Sequence, residues 1–402
     1  MISEHVAPEV LTLENRNLSE ILTPIRRHLH ANPEIGLQEY ETSRFIRETL
    51  SSYGLTVSAP LATTGMCVDI VGHHAGPMVA YRCDIDALPI TDAKTVAYRS
   101  TNQDVAHLCG HDAHTTIGIG IALLLHSQRE HIHGIVRVFF QPNEEGIPSG
   151  APLMMADGVL DGVEAVYASH IDPTLPSGKY GLKTGAVTAS ADRFRVRILA
   201  GSTGHSARPH QATDTIWIST QIMSAFYQLV GRTSDARSPA VISICRLRAG
   251  DAYNVLPAEA EFGGTFRCTE NSTRETLKAK IEQTAISLGH TFGADVLVDF
   301  DYGAPPVVND DGLVAVIRDS ILETIGKEAI FDIPIPSMGA EDFAHYLSQV
   351  PGALVRIGSC NSPETAYVLH DSNFDIDETV LAKTAHMWSR TLISYLDKRT
   401  VA

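Results

Sequence analysis

Apolar residues recur in the first half of the chain with two spacings that alternate. A spacing of three or four residues, typical of helices that bury one face, is found at 18–31 and 38–53. The small and apolar residues of 115–126, with Gly118 and Gly120, indicate a further helix packed closely on a sheet. Continuous apolar runs, typical of buried strands, occupy three other segments: 78–81, 135–140 and 163–169. Strands and helices in this alternating order predict an α/β fold, with a mostly parallel sheet covered by helices on both faces.

The pattern changes after about residue 185, where polar and apolar positions begin to alternate. Four strands are predicted here, at 193–199, 240–247, 258–266 and 296–301, and two helices, at 214–230 and 273–289. This content is typical of an α+β sandwich of the ferredoxin kind. A Gly and two Pro within 303–309 indicate a linker. The first pattern then resumes in three segments: a helix at 311–325, a strand at 353–358 and a helix at 378–395.

One α/β domain interrupted by an inserted domain explains this order of elements. We therefore predict three segments: the first part of the main domain at 1–186, the inserted α+β domain at 187–302, and the second part of the main domain at 303–402. The total of 402 residues agrees with two cores rather than one.

The charge and the cysteine content limit which binding partners and which cellular compartment are expected. The formal net charge is -16, which repels a phosphate backbone, so nucleic acid is not an expected partner. No basic cluster or long apolar run predicts contact with a membrane. The expected partner is a small-molecule substrate. The six cysteines are scattered and the N-terminus lacks the features of a signal peptide, which together predict a cytoplasmic protein.

The string His107–Thr115 holds the first candidate metal ligands. A thiolate at Cys109 and an imidazole at His111 can face one ion if Gly110 makes a turn between them. Asp112 is a candidate to orient the ring of a ligand histidine. The alternative interpretation is a histidine-rich loop beside a buried cysteine, since the chain has 18 histidines.

Two adjacent carboxylates, Glu144 and Glu145, follow the predicted strand at 135–140. Binding and active sites of α/β proteins often lie at such strand ends. There, one carboxylate can ligate a metal while the other accepts a proton from the attacking water. A solvated acidic turn is the alternative. Two single histidines also follow apparent strands, His170 and His370, and each alone is more typical of a hydrogen-bonded core residue. Together, the four pieces predict a centre for two metal ions.

These residues lie in motifs that resemble the aminoacylase/carboxypeptidase superfamily of dinuclear metallopeptidases, peptidase family M20. The resemblance is to the branch of hippurate hydrolases, auxin–amino acid conjugate hydrolases and N-acyl amino acid amidohydrolases. It covers nearly the whole chain through eight motifs in order: RRHLHANPEIG at 26–36, RCDIDALP at 82–89, CGHD at 109–112, QPNEEG at 141–146, GHSARPH at 204–210, NVLP at 254–257, GGTFR at 263–267 and MGAEDF at 338–343, with Leu369 and His370 closing the series.

The resemblance implies a role for each position. It implies five metal ligands, Cys109, His111, Glu145, His170 and His370, with Glu144 as the general base. It implies that His205 stabilises the oxyanion in the site of a neighbouring subunit, that Asn254 and Arg267 bind substrate, and that Asp86 orients a ligand histidine. The main domain would then be catalytic, and the inserted domain would be a lid and the dimerisation module of a homodimer or higher homo-oligomer.

The implied activity is hydrolysis of the amide bond of an N-acyl amino acid, an amino acid conjugate or a dipeptide. Two divalent ions are expected as cofactors, with zinc, manganese, cobalt and nickel all compatible with the donors. Ile147, Pro148 and Ser149 stand where relatives have a glycine run, so substrate preference is open. Two alternatives remain: an aminohydrolase that deaminates a small aromatic or cyclic amine, and a non-catalytic metal-binding relative.

Overall fold

The computed structural model describes residues 17–400 of the chain. Eight α-helices lie within those residues: α1 (Leu18–Ala31), α2 (Tyr40–Ser52), α3 (His111–Ser127), α4 (Gly150–Ala156), α5 (Thr215–Thr233), α6 (Asn271–Thr291), α7 (Asp311–Thr324) and α8 (Thr379–Thr400). Short 3-10 helices are found at Arg129–His131, Pro209–Gln211, Lys327–Ala329, Asp342–Ser348 and Pro363–Thr365.

Fifteen strands lie in the same part of the chain. They are β1 (Met66–Val71), β2 (His74–Asp84), β3 (His133–Gln141), β4 (Val163–Pro176), β5 (Tyr180–Leu182), β6 (Gly185–Ala186), β7 (Asp192–Leu199), β8 (Gly204–His205), β9 (Ala240–Ala249), β10 (Val255–Leu256), β11 (Glu259–Cys268), β12 (Asp295–Tyr302), β13 (Val308–Asn309), β14 (Ile330–Asp332) and β15 (Gly352–Cys360).

The first of two compact units contains a seven-stranded sheet. This unit comprises 17–185, Val308–Pro334 and 345–400, and its strands lie in the order β1-β3-β2-β4-β15-β5-β14. The four central strands run parallel to one another, whereas β1 pairs antiparallel with β3 at one edge. Because helices such as α3 and α8 pack on the sheet, its central strands are almost continuously apolar.

The second unit, Ala186–Val307 with Ile335–Ala344, has a core of its own. Its main sheet is antiparallel, in the order β12-β7-β11-β9, and α5 and α6 pack on it. Phe194, Phe226 and Phe262 meet edge to face in that core. The α/β class and the inserted α+β sandwich are thus confirmed.

The lid and dimerisation roles of the second unit stay predictions, as do the boundaries that the sequence gives to each domain. Among residues 17–400, no helix has both the length and the apolar surface that crossing a membrane requires.

Candidate metal centre

The turn before α3 positions the first two predicted ligands. Gly110 has φ +87°, a left-handed conformation that costs glycine little, and a Cβ there would lie 2.9 Å from the Ile171 side chain. This turn leaves Cys109 and His111 both buried. Their donor atoms and a ring nitrogen of His170 all lie within 4.8 Å of one another.

The five predicted ligands form two groups that share one member. The first group is Cys109, His111 and His170, and the second is Cys109, Glu145 and His370. Within each group, the donor atoms lie within 4.8 Å of one another. The structure therefore brings all five side chains together, in the arrangement that two neighbouring cations sharing a donor would need.

Two ligand histidines have their outer ring nitrogens occupied, which directs the inner nitrogens to the centre. His111 Nδ1 lies 2.9 Å from the Asp86 carbonyl oxygen and 3.1 Å from Asp86 Oδ1. His170 Nδ1 donates to the Ile171 carbonyl at 2.7 Å. These bonds fix each ring in the tautomer whose Nε2 lone pair can bind a cation. The buried His111 Nε2 has no hydrogen-bond partner among the described residues, as expected of an atom that a cation would complete.

The donors at the buried end of the centre suit a soft or borderline divalent cation. Cys109 Sγ lies 3.5 Å from His170 Nε2. Burial raises the pKa of the Cys109 thiol well above its ordinary value and lowers the pKa of His170 well below its own. Neither group thus carries charge by itself, and a thiolate beside a neutral imidazole becomes stable when a cation compensates the thiolate charge. The residues fit a metal ion of the zinc type.

His370 closes the other end of the centre from the segment between β15 and α8. Its backbone has φ +69°, which is unusual for a residue with a side chain, and its N–H donates to the Leu108 carbonyl at 2.7 Å. Its Nε2 lies 3.0 Å from Glu145 Oε1. The side chain is 48% exposed, so this end of the centre is open to solvent and to a substrate.

Glu144 and Glu145 follow β3, as the sequence predicts. The Glu145 N–H donates to Asp86 Oδ2 at 3.0 Å, so that Asp86 contacts both Glu145 and His111. A carboxylate oxygen of Glu144 lies within 4.8 Å of donor atoms of His111 and Glu145. One carboxylate thus contacts His370 while its neighbour stands beside the cluster, in reach of a water that the cluster would hold.

The expectation for Asp112 is wrong. Its carboxylate accepts from Arg26 Nε at 2.8 Å and lies 2.7 Å from His30 Nδ1, and His30 is not among the ligands. Arg26 is fully buried and also donates to Asp375 Oδ1 at 2.7 Å. This ion network joins α1 to the segments that carry His111 and His370, and no motif in the sequence predicted it. The nearest signal was two arginines and two histidines close together in the predicted helix 18–31.

A second pair of residues that the sequence patterns did not indicate, His114 and Asp84, supports β4. His114 Nδ1 lies 2.6 Å from Asp84 Oδ1, and its Nε2 accepts from the Ile171 N–H at 2.8 Å. The pair thereby holds the backbone directly after His170. Asp84 stands two residues before Asp86 in the same motif, which is the signal that could have identified it.

Three predicted residues lie in the second unit. His205 is exposed in β8, and its neighbour Ser206 donates an N–H to the Asn254 carbonyl at 3.1 Å, so that the unit brings His205 and Asn254 close. Arg267 lies in β11, and its Nη1 donates to the Met338 carbonyl at 3.2 Å. Their roles toward a substrate stay predictions.

The fold and the donor set define a class: an α/β protein with an inserted domain and a cluster able to hold two metal ions beside a carboxylate. The family comparison agrees with this class. The profile of Peptidase family M20/M25/M40 matches residues 80–394, so the chain belongs to this family.

Relatives match over most of their length. An N-acyl-L-amino acid amidohydrolase from Geobacillus stearothermophilus is 40% identical over 300 residues, which are 74% of this chain and 80% of that protein. An N-acetyl-L-cysteine deacetylase from Bacillus subtilis (strain 168) is 34% identical over 396 residues, 97% of this chain and 93% of that protein. The crystal structure of the Bacillus subtilis YXEP protein, a dinuclear metal binding peptidase from the M20 family, has a TM-score of 0.84 and 32% identity, covering 94% of this chain and 99% of the other.

The predicted resemblance and the predicted enzyme class are therefore confirmed: the chain is a metal-dependent amide hydrolase of this family. The likeness and the two ligand groups support a centre for two divalent ions. A small molecule is the class of substrate that this family acts on.

Proposed function

We propose that the chain hydrolyses the amide bond of an N-acyl amino acid, an amino acid conjugate or a dipeptide, with Glu144 as general base. The observation that carries this proposal is the position of the Glu144 carboxylate, within 4.8 Å of donor atoms of His111 and Glu145 at the edge of a five-donor cluster. The names of the relatives support it, because two of them are an N-acyl-L-amino acid amidohydrolase and an N-acetyl-L-cysteine deacetylase.

The metal ions and the side chain of Glu144 have different roles in the proposed reaction. Two divalent ions held by Cys109, His111, Glu145, His170 and His370 would polarise the scissile carbonyl and make water acidic enough to ionise near neutral pH. Glu144 accepts the proton of the attacking water. It then donates that proton to the amine nitrogen as the C–N bond breaks, and it ends the cycle ionised.

The second unit supplies the remaining groups in this proposal. His205 donates a hydrogen bond to the developing oxyanion, and it does so in the site of a neighbouring subunit. Asn254 and Arg267 bind the carboxylate of the amino acid, for which a guanidinium is well suited. The protein is then a homodimer or higher homo-oligomer, assembled through the inserted domain, which also serves as the lid.

The identity of the ions and the compartment complete the proposal. A thiolate among imidazoles and a carboxylate favours zinc, with manganese, cobalt and nickel as the other candidates. All six cysteines lie within the described residues and are free thiols, which suits the reducing cytoplasm.

The test of the base is Glu144→Gln, which keeps the shape of the side chain and removes its ability to accept a proton. We expect kcat to fall by about 10³-fold or more, because a positioned acid–base group contributes roughly 10²–10⁴-fold. Metal content, measured by mass spectrometry of the purified protein, should stay at the wild-type value. An E144Q enzyme with wild-type kcat would show that another group is the base.

A substrate panel separates the proposed activity from its alternatives. Chelated protein is supplied in turn with zinc, manganese, cobalt or nickel and assayed on N-acyl amino acids, amino acid conjugates and dipeptides. Release of a carboxylic acid and an amino acid supports amide hydrolysis. Release of ammonia without a carboxylic acid, or no product from metal-loaded protein, would overturn the proposed activity.

A further inference from the structure

Two buried carboxylates hold the backbone on either side of Glu144. Asp86 Oδ2 accepts the N–H of Glu145 at 3.0 Å, and Glu39 Oε1 accepts the N–H of Asn143 at 3.0 Å. Asp86 and Glu39 come from different parts of the chain, the loop after β2 and the start of α2. The residue between the two anchored amides is the proposed base, so the two carboxylates together fix the direction in which its side chain leaves the backbone.

Asn143 is held in a conformation that a residue with a side chain rarely adopts. Its φ is +53°, and a left-handed backbone of this kind persists when the surroundings impose it. Its side-chain amide donates to the Pro148 carbonyl at 2.6 Å, and its own carbonyl accepts from the Gly150 N–H at 2.8 Å. The segment 143–150 is therefore a closed loop, and Glu39 anchors the residue at which that loop begins.

The space around Asn143 leaves it little freedom to move. A Cβ at Gly36 would lie 1.7 Å from Asn143 Oδ1, and a Cβ at Gly146 would lie 2.0 Å from the same atom. Gly36 stands three residues before Glu39 in the segment that joins α1 to α2. This segment thus contacts the loop twice, once by close packing and once by the hydrogen bond from Asn143 to Glu39.

Glu39 does not cap its own helix, although it stands at the N-cap position of α2. The first-turn amides of α2 are instead bound by Glu34, which accepts from Thr42 at 2.8 Å and from Glu41 at 3.2 Å. The Glu39 side chain points away from the helix and accepts from Thr64 Oγ1 at 2.6 Å as well as from Asn143. Glu39 is 0% exposed. Its carboxylate is therefore buried although it does not cap the helix, and its contacts lie elsewhere.

We propose that Glu39 is a positioning residue for the reaction: through the Asn143 amide it fixes the backbone that presents Glu144. This inference rests on the proposed function, because it takes Glu144 to be the base. Loss of the acceptor at residue 39 leaves the buried Asn143 amide without a partner and allows the loop to relax. A displacement of the base by about 1 Å lowers the rate by roughly 10²-fold, although no ligand has been removed.

The experiment compares Glu39→Leu, which has no acceptor, with Glu39→Gln, whose carbonyl oxygen can still accept from Asn143. We expect E39L to lower kcat by roughly 10–100-fold while KM changes less than about twofold and two ions stay bound. E39Q should recover most of that loss. The matched control is Glu34→Leu, which removes a carboxylate from the same segment. E34L should lower the free energy of unfolding, because the first-turn amides of α2 lose their acceptor. It should leave kcat per folded molecule unchanged.

A second measurement does not depend on activity. Hydrogen exchange of peptides covering 141–150 in metal-free protein should show lost protection in E39L and retained protection in E39Q and E34L. Should E39L fail to fold, Glu39→Asp serves in its place, because its shorter carboxylate no longer reaches Asn143 with good geometry and should lower kcat partly.

The outcomes separate this inference from the proposed function. Wild-type kcat in E39L or E39D overturns the inference, and so does a fall in kcat that only follows a loss of bound metal. If E144Q also keeps its activity, the assignment of the base fails independently of Glu39. If E144Q is inactive while E39L has wild-type kcat, only the role of Glu39 is rejected.

Discussion

Cys109 is the donor that both ligand groups share, so its loss should affect both ions. We expect Cys109→Ser to lower the metal content below two ions per chain and to lower kcat/KM by roughly 10²-fold or more, because a hydroxyl is a much poorer ligand than a thiolate for a borderline cation. Metal analysis after dialysis against metal-free buffer measures the first effect.

The control is Cys245→Ser, at an exposed cysteine of the second unit. It should bind two ions and keep wild-type activity. Two tightly held ions in C109S would show that Cys109 is not a ligand.

The residues of the metal centre could be predicted from the sequence better than the side chains that contact them. Local strings predicted Cys109, His111, Glu144 and Glu145, since Cys-x-His and Glu-Glu patterns have chemical meaning by themselves, whereas His170 and His370 gained a predicted role only together with these pieces and through the family resemblance. The partner of Asp112 could not be predicted, because Arg26 and His30 lie over 80 positions away in sequence. Asp86 orients His111 because the end of β2 lies beside the start of α3, and that proximity is a property of the sheet rather than of either motif.

At the scale of elements, α3 packs closely on the sheet at a glycine. Gly118 lies on its inner face, where a Cβ would be 2.2 Å from Cys83 Sγ and 3.2 Å from a ring carbon of Phe140. We expect Gly118→Ala to lower the unfolding free energy by about 1–3 kcal/mol, since added volume in a packed core forces side chains or backbone to move. Urea unfolding followed by circular dichroism measures this change.

Gly231 in α5 offers a matched helix glycine, because a Cβ there meets nothing within 4 Å. Gly231→Ala should leave stability unchanged or raise it by about 0.5–1 kcal/mol through the lower entropy of the unfolded chain. Equal effects at the two positions would mean that close packing of α3 is not what Gly118 provides.

Long periodic segments were predicted well, whereas very short strands and an edge strand were not. The apolar spacing at 18–31 corresponds to α1 (Leu18–Ala31), and the alternation at 193–199 corresponds to β7 (Asp192–Leu199). The three-residue strands β5 and β14 carry too few positions for any period to be detected. β1 is an edge strand, so its pairing depends on β3 rather than on a pattern of its own.

At the scale of the whole molecule, the proposed role of His205 makes each site depend on two subunits. Glu144→Gln and His205→Ala proteins should each have little activity. When the two are mixed and allowed to exchange subunits, one site of each mixed dimer combines an intact Glu144 with an intact His205. We expect activity to rise to about a quarter of the wild-type value, as random pairing of two variants in a dimer requires.

Size-exclusion chromatography with light scattering would establish the oligomeric state before mixing. Mixing E144Q with the double variant E144Q/H205A is the control, since no pairing of these subunits contains an intact base. If the first mixture stays inactive although subunits exchange, His205 acts within its own subunit or not at all.

The place of β15 between β4 and β5 has a consequence for synthesis of the protein in the cell. A ribosome has made more than 350 residues before this strand, Gly352–Cys360, can leave the exit tunnel. Until then, β4 has one side without a hydrogen-bonded neighbour, and nascent chains with such open edges tend to aggregate. His370 emerges later still, so the ligand group of Cys109, Glu145 and His370 is completed after the group of Cys109, His111 and His170, and chaperones that shield exposed strands would protect the chain during that interval.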